Sequence, residues 1–176
     1  SEIETPLTAN IITLEPRDGN RSLDIAIMVS CDLALITEEL SDMVKQEVKK
    51  LLPETDAEKI FLNATHTHTA PVYFNHPSFL YNIPETGVLQ PDEYQNFMVK
   101  RIAGGIVEAW KSRQQGSMTW GLGHASVANN RRVVYSKKID APGTFADGTA
   151  RMYGNTNTPD FINIEGMEDR DVHTLF

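Results

Sequence analysis

The run Asn63-Ala64-Thr65-His66-Thr67-His68-Thr69-Ala70-Pro71 holds the side chains best suited to chemistry. Neutral imidazole is a good zinc ligand, and its two nitrogens are distinct, so one can hold a metal while the other meets an acceptor. Residues i and i+2 of an extended chain face the same way, so His66 and His68 are expected to address one place. Two histidines fall short of the three or four donors zinc takes, and a pair of surface histidines among threonines is an equally good reading of the spacing. His76, His124 and His173 stand apart from the pair and read as solvated or hydrogen-bonded side chains. Asp32 follows an apolar run. It can steady a metal ligand from behind or be an ordinary loop carboxylate, the commoner role. Cys31 has no basic neighbour or helix start to make it a thiolate and reads as a small buried apolar side chain. Asn129-Asn130-Arg131-Arg132 sets paired guanidiniums, which fork onto carboxylates and planar carbonyls, in an acidic chain. A solvated basic turn is the commoner use of such a run. Gly121-Leu122-Gly123 lacks the third glycine and helix start of a phosphate loop, and no Gly-x-Ser-x-Gly elbow occurs.

The elements that must position these residues follow from periodicity. Ala9 to Leu14 reads as a strand ending at the turn sequence Pro16-Arg17-Asp18-Gly19. Leu23 to Val29 is almost continuously apolar, as expected of a strand covered on both faces. Thr37 can cap a helix with Glu38 and Glu39 at its positive end and Lys49 and Lys50 at the other. Leu40, Met43, Val44, Val48, Leu51 and Leu52 form its apolar stripe, and Pro53 closes it. Lys59 to Ala64 is a short strand, so strand, helix and strand predict a parallel pair with a right-handed crossover. The histidine loop then sits at a strand's carboxyl end, where α/β sheets form their ligand crevice. A second helix is predicted from Pro91, with Tyr94, Phe97, Met98, Ile102, Ile106, Ala109 and Trp110 as its buried face. Gly104-Gly105 inside it costs about 1 kcal/mol per residue relative to alanine. Met118, Trp120 and Leu122 alternate as in a strand. From Val127 to Pro159 the polar, turn-rich chain suggests no regular element, and Phe161–Ile164 and Val172–Phe176 read as short strands. The fold class is α/β, a mixed β-sheet with flanking helices, in one domain spanning residues 1–176.

Composition narrows the function classes. Sixteen Lys and Arg against twenty-four Asp and Glu give a net charge of −8, which disfavours nucleic acid as a partner. No apolar run reaches the roughly 18 residues of a membrane-spanning helix. With 40% hydrophobic and 23% charged residues the chain has ordinary globular usage, and its one cysteine excludes an internal disulfide.

Thr65-His66-Thr67-His68-Thr69-Ala70-Pro71 closely resembles the Thr-His-Thr-His-Ser-Gly-Pro motif of neutral ceramidases, zinc-dependent amidases that cleave ceramide to sphingosine and fatty acid. Val29-Ser30-Cys31-Asp32-Leu33 is similar to the family's Val-Ser-Ala-Asp-Leu strand end. Asn130-Arg131 is similar to its Asn-Arg element, and Asp169 to Phe176 to the stretch leading into its next core strand. The resemblance implies that His66 is a zinc ligand and that His68 faces the substrate as a catalytic group. It further implies that Arg131, with Asn130, binds the substrate and that Asp32 supports the metal site. The implied cofactor is Zn2+, the partner a lipid-like amide of sphingolipid metabolism, and the setting secreted or periplasmic. Ala70, Val72 and Tyr73 stand where the family has glycines, which implies a stiffer loop. The family's remaining ligands, a His, a Glu and a Tyr, fall beyond Phe176, so the chain reads as an interior piece of a ceramidase-like catalytic domain. It is then expected to bind zinc weakly alone, and to leave Val172–Phe176 as an edge for the rest of the domain or another copy of the chain. Two alternatives remain open: a non-catalytic, degenerate ceramidase-like binding domain, or a metal hydrolase acting on another amide or ester.

Overall fold

The computed structural model describes residues 5–74, 83–139 and 146–176. His76 lies outside them. The chain forms two compact units, residues 1–115 and 116–176, and its described residues make a mixed α/β structure of two α-helices and several small sheets.

The first unit begins with β1 (Ala9–Leu14), a small hairpin of β2 (Arg17–Asp18) and β3 (Arg21–Ser22), and β4 (Ala26–Cys31). The hairpin turns at Gly19, whose φ of +55° suits a residue without a Cβ. After α1 (Glu38–Leu51) and a 3-10 turn (Ala57–Lys59) comes β5 (Ile60–Ala64), and α2 (Pro91–Lys111) follows the histidine loop. The sheet order is β1-β4-β5. β1 is antiparallel to β4, with Ile11 opposite Val29, while β4 is parallel to β5, with Val29 opposite Leu62. The strand–helix–strand unit therefore pairs in parallel, as its order predicts.

Thr37 caps α1: its side chain accepts from the Leu40 N–H at 3.1 Å. Leu40, Val44, Val48 and Leu52 are buried, but Leu51 is exposed. In α2, Pro91 sits in the first turn behind Gln90, whose side chain and that of Glu93 close a reciprocal capping box. Its buried face runs through Gln95, Met98, Val99, Ile102, Ala103 and Ile106. Phe97 is exposed, and Tyr94, Ala109 and Trp110 are only half-buried. The expected face is thus rotated toward Val99 and Ala103, which join the buried cluster that α2 shares with α1 and β4. Gly105 lies against β1: a Cβ there would lie 2.8 Å from Ile11 Cδ1. Gly104 meets nothing and faces outward.

Ile27, Val29 and Cys31 of β4 join residues of both helices in one buried cluster. The opposite face differs from the two-sided covering expected of the apolar run. Ile12, Met28 and Phe61, lateral neighbours across β1, β4 and β5, are each exposed. Leu23 precedes the strand and is exposed as well. A continuous apolar run cannot say which half of it lies inward.

The second unit contains β6 (Trp120–His124), β7 (Arg132–Tyr135), β8 (Ala146–Asp147), β9 (Ala150–Met152), β10 (Phe161–Ile164) and β11 (Asp171–Leu175). One antiparallel sheet has the order β10-β7-β9-β8, and β11 pairs with β6 in a second. The polar stretch after Val127 thus carries strands that its composition does not suggest. Gly148-Thr149, with φ +56° at the glycine, makes the two-residue β8–β9 turn behind Asp147. Glycine at the first loop position is a hairpin signal. The stretch around Val172 has β6 along one side, and its other edge carries no strand among the described residues.

Candidate functional site: the paired-histidine loop

The loop after β5 is tied to the end of β4 and to the segment that follows it. The Thr65 N–H donates to the Cys31 carbonyl at 2.9 Å, continuing the parallel pairing. Asp32 accepts at one carboxylate oxygen from the Thr8 N–H (2.9 Å) and hydroxyl (2.8 Å), and at the other from the Thr65 hydroxyl (3.3 Å). Those bonds, the Thr8 N–H foremost, hold the Asp32 carboxyl below its ordinary range. Further on, Tyr73 is buried, and its hydroxyl donates to the Leu35 carbonyl and accepts from the Thr37 N–H, each at 3.0 Å.

Between these anchors the backbone reverses at His66, whose φ of +63° is left-handed. A non-glycine residue held there costs of order 1 kcal/mol and stays only where its surroundings fix it. His66 Nδ1 is fixed by the Ala34 carbonyl in a short hydrogen bond. A carbonyl accepts, so Nδ1 carries the proton and Nε2 keeps its lone pair. The extended conformation expected for the motif is therefore absent, and yet the two rings meet. His68 Nε2 lies 3.5 Å from His66 Nε2, with ring centroids 4.9 Å apart and planes at 81°.

That separation can be tested against a metal. Two nitrogens at about 2.0–2.1 Å from a tetrahedral zinc stand roughly 3.3–3.4 Å apart. The observed 3.5 Å is close to this edge and longer than a good N–H···N hydrogen bond. Both rings are exposed, so solvent and ligand can reach them. The spacing leaves room for a metal at His66 Nε2 with His68 Nε2 beside it, near enough to be a second ligand or to face the metal's water. Among the described residues no group of three His, Cys, Asp or Glu side chains completes a zinc site. Asp32 touches neither ring in this arrangement and acts through Thr65, the residue before His66.

Cys31 is buried beneath the loop, and burial followed by the Asp32 charge pushes its thiol up to about 11. It is an apolar core residue, as its sequence context suggests. An apolar groove of about 350 Å³ runs beside it, lined by Leu7, Ile11, Leu33, Phe97 and Met98, with Asp32 and Arg101 also on its wall.

Asn130 and Arg131 belong to the second unit. The Asn130 carboxamide accepts from the Arg132 N–H at 2.9 Å and donates to the Glu165 carbonyl in a short contact, clamping the turn before β7. Arg132 pairs with the Glu165 carboxylate. Arg131 is exposed, its guanidinium 4.9 Å from the centre of the Tyr153 ring. His124 contacts Asp171 at 3.2 Å across the β6–β11 pair, and His173 is exposed on β11.

The chain matches no known family model, no curated protein and no solved structure. No helix among the described residues is long and apolar enough to cross a membrane.

Proposed function

We propose that the protein is a zinc-dependent amide hydrolase of the ceramidase type, acting on a lipid-like N-acyl substrate, with this chain as part of its catalytic domain. The observation that carries the reading is the His66–His68 pair, with His66 Nδ1 bound to a carbonyl and both Nε2 atoms 3.5 Å apart at the carboxyl end of β5. Zinc supplies, when bound, a water acidified to near neutrality and a Lewis acid for the amide carbonyl. His66 Nε2 would hold the metal, with its lone pair kept available by the Ala34 carbonyl. His68, 3.5 Å away, would donate a hydrogen bond to the oxygen that gains charge during attack. Asp32 would position the loop through Thr65. The groove beside Cys31 offers apolar wall of the kind an acyl chain needs.

The test is zinc-dependent release of fatty acid from an N-acyl amide by the protein in its natural full length, beside its His66→Ala and His68→Ala variants. His66→Ala is expected to lose both zinc and activity, and His68→Ala to lose activity with most of the zinc retained. Equal zinc and equal activity in the parent and His66→Ala would end the proposal. Release from an ester, with none from amides, would keep the metal hydrolase and remove the ceramidase assignment.

A further inference from the structure

A second cavity lies in the second unit, independent of the histidine loop. It has a volume of about 370 Å³, and Lys137, Lys138, Arg151, Thr158 and Asp160 share its wall with Tyr135. We propose that this cavity binds a small molecule through an oxyanion group, phosphate or carboxylate.

Charge is the first argument. Asp160 is already answered: Lys137 Nζ lies 3.0 Å from its carboxylate, and the Ser136 hydroxyl donates to it at 3.3 Å. Lys138 and Arg151 have no ion-pair partner among the described residues. Two uncompensated cations therefore line one cavity in a chain of net charge −8. Alone, that would be ordinary surface chemistry.

The second argument is independent of charge. Thr158 also lines the cavity, and its hydroxyl is buried with no hydrogen-bond partner among the described residues. Buried hydroxyls are nearly always satisfied, and an oxyanion is the acceptor that suits both a hydroxyl donor and two cations. The wall is also built in advance. Ser136 N–H donates to the Asp160 carbonyl at 2.8 Å, Ile139 N–H to the Gly148 carbonyl at 2.9 Å, and the Tyr135 hydroxyl to the Asn155 carbonyl at 3.0 Å. Gly154 is packed so closely that a Cβ would fall 2.2 Å from the Tyr135 hydroxyl oxygen. An open depression of this volume has room for a small molecule. A single cavity, rather than a basic stripe, does not suit a polyanion.

The experiment titrates the full chain with inorganic phosphate, and separately with acetate, following backbone amides by NMR at constant ionic strength made up with chloride. Saturable one-to-one shifts centred on residues 136–139, 151 and 158 are expected. Arg151→Gln and Lys138→Gln should each weaken binding about tenfold, the worth of one charge-assisted hydrogen bond. Thr158→Val should weaken it while leaving the melting temperature unchanged or higher, since it removes an orphaned hydroxyl. Arg170→Gln and His66→Ala should leave it unchanged, which separates this site from the hydrolase reading. Preference for phosphate identifies a phosphorylated ligand, and preference for acetate a carboxylate. Shifts that chloride reproduces, or that survive both Arg151→Gln and Lys138→Gln, overturn the proposal.

Discussion

Replacing Tyr73 by Phe removes one oxygen atom and tests how the histidine loop is held. The ring is 3% exposed and stays buried in the variant, so neither the apolar burial nor a cavity term changes much. Two hydrogen bonds of 3.0 Å are lost, to the Leu35 carbonyl and from the Thr37 N–H. Each contributes about 0.5–1.5 kcal/mol net, and both partners are left part-buried without a replacement. The expected loss is about 1.5–3 kcal/mol. With a urea slope of about 2 kcal/mol/M, the unfolding midpoint should fall by roughly 1 M at unchanged slope. A local readout accompanies the global one. Leu35 follows Ala34, whose carbonyl sets the His66 tautomer, so zinc affinity of the loop should fall in Tyr73→Phe although no donor is touched. A midpoint moved by less than about 0.3 M, with zinc affinity intact, would show that Tyr73 merely packs and does not pin the loop.

Four further outcomes are expected. Gly104→Ala, at an open position in α2, should stabilise the chain by about 0.5–1 kcal/mol in thermal or urea melts. Gly105→Ala should gain less, because Ile11 Cδ1 at 2.8 Å must first move aside. Cys31, buried with its thiol raised to about 11, should resist alkylation in the folded chain at mildly alkaline pH and react fully in urea, as mass spectrometry will show. The Asp32 carboxyl is held low by Thr8 and Thr65, so its contribution is present above the unfolded carboxylate value near 3.9 and disappears as pH falls through the lower folded one. In urea midpoints measured between about pH 6 and pH 2, Asp32→Asn should lessen the acid-induced loss of stability. An acid limb identical in variant and parent would show that the three hydrogen bonds to Asp32 carry no net stabilisation.

Helix α1 was legible because every level agrees on it: Thr37 caps, charges match the dipole, the stripe has helical period and Pro53 follows. Strand β5 and its parallel pairing follow from the same consistency. The face of α2 was less legible because its periodicity includes Tyr94 and Phe97, and only the packed structure shows Val99 and Ala103 buried and Gly105 set against Ile11 of β1. Strands β7, β8 and β9 are short, and their pairing is non-local. Of the signals they leave in the sequence, Val133-Val134-Tyr135 and Gly148-Thr149, the second lies in a turn-rich context that masks it.

The site divides along the same line. That His66 and His68 share one place follows from their spacing, but the reason given by spacing alone is wrong. An extended chain would set the rings side by side, whereas the left-handed turn at His66 brings the two Nε2 atoms together. That turn is sustained by groups with no chemical signature in a sequence: the Ala34 carbonyl, the Thr8 amide and the buried Tyr73 hydroxyl. The resemblance to ceramidases implies glycine at position 73, and the tyrosine reads in sequence as a departure from it. In the fold Tyr73 is a buried, hydrogen-bonded anchor for the chain that follows the histidines. The loop's function is therefore better judged by whether His66 Nε2 stays directed toward His68 than by whether the glycines are present.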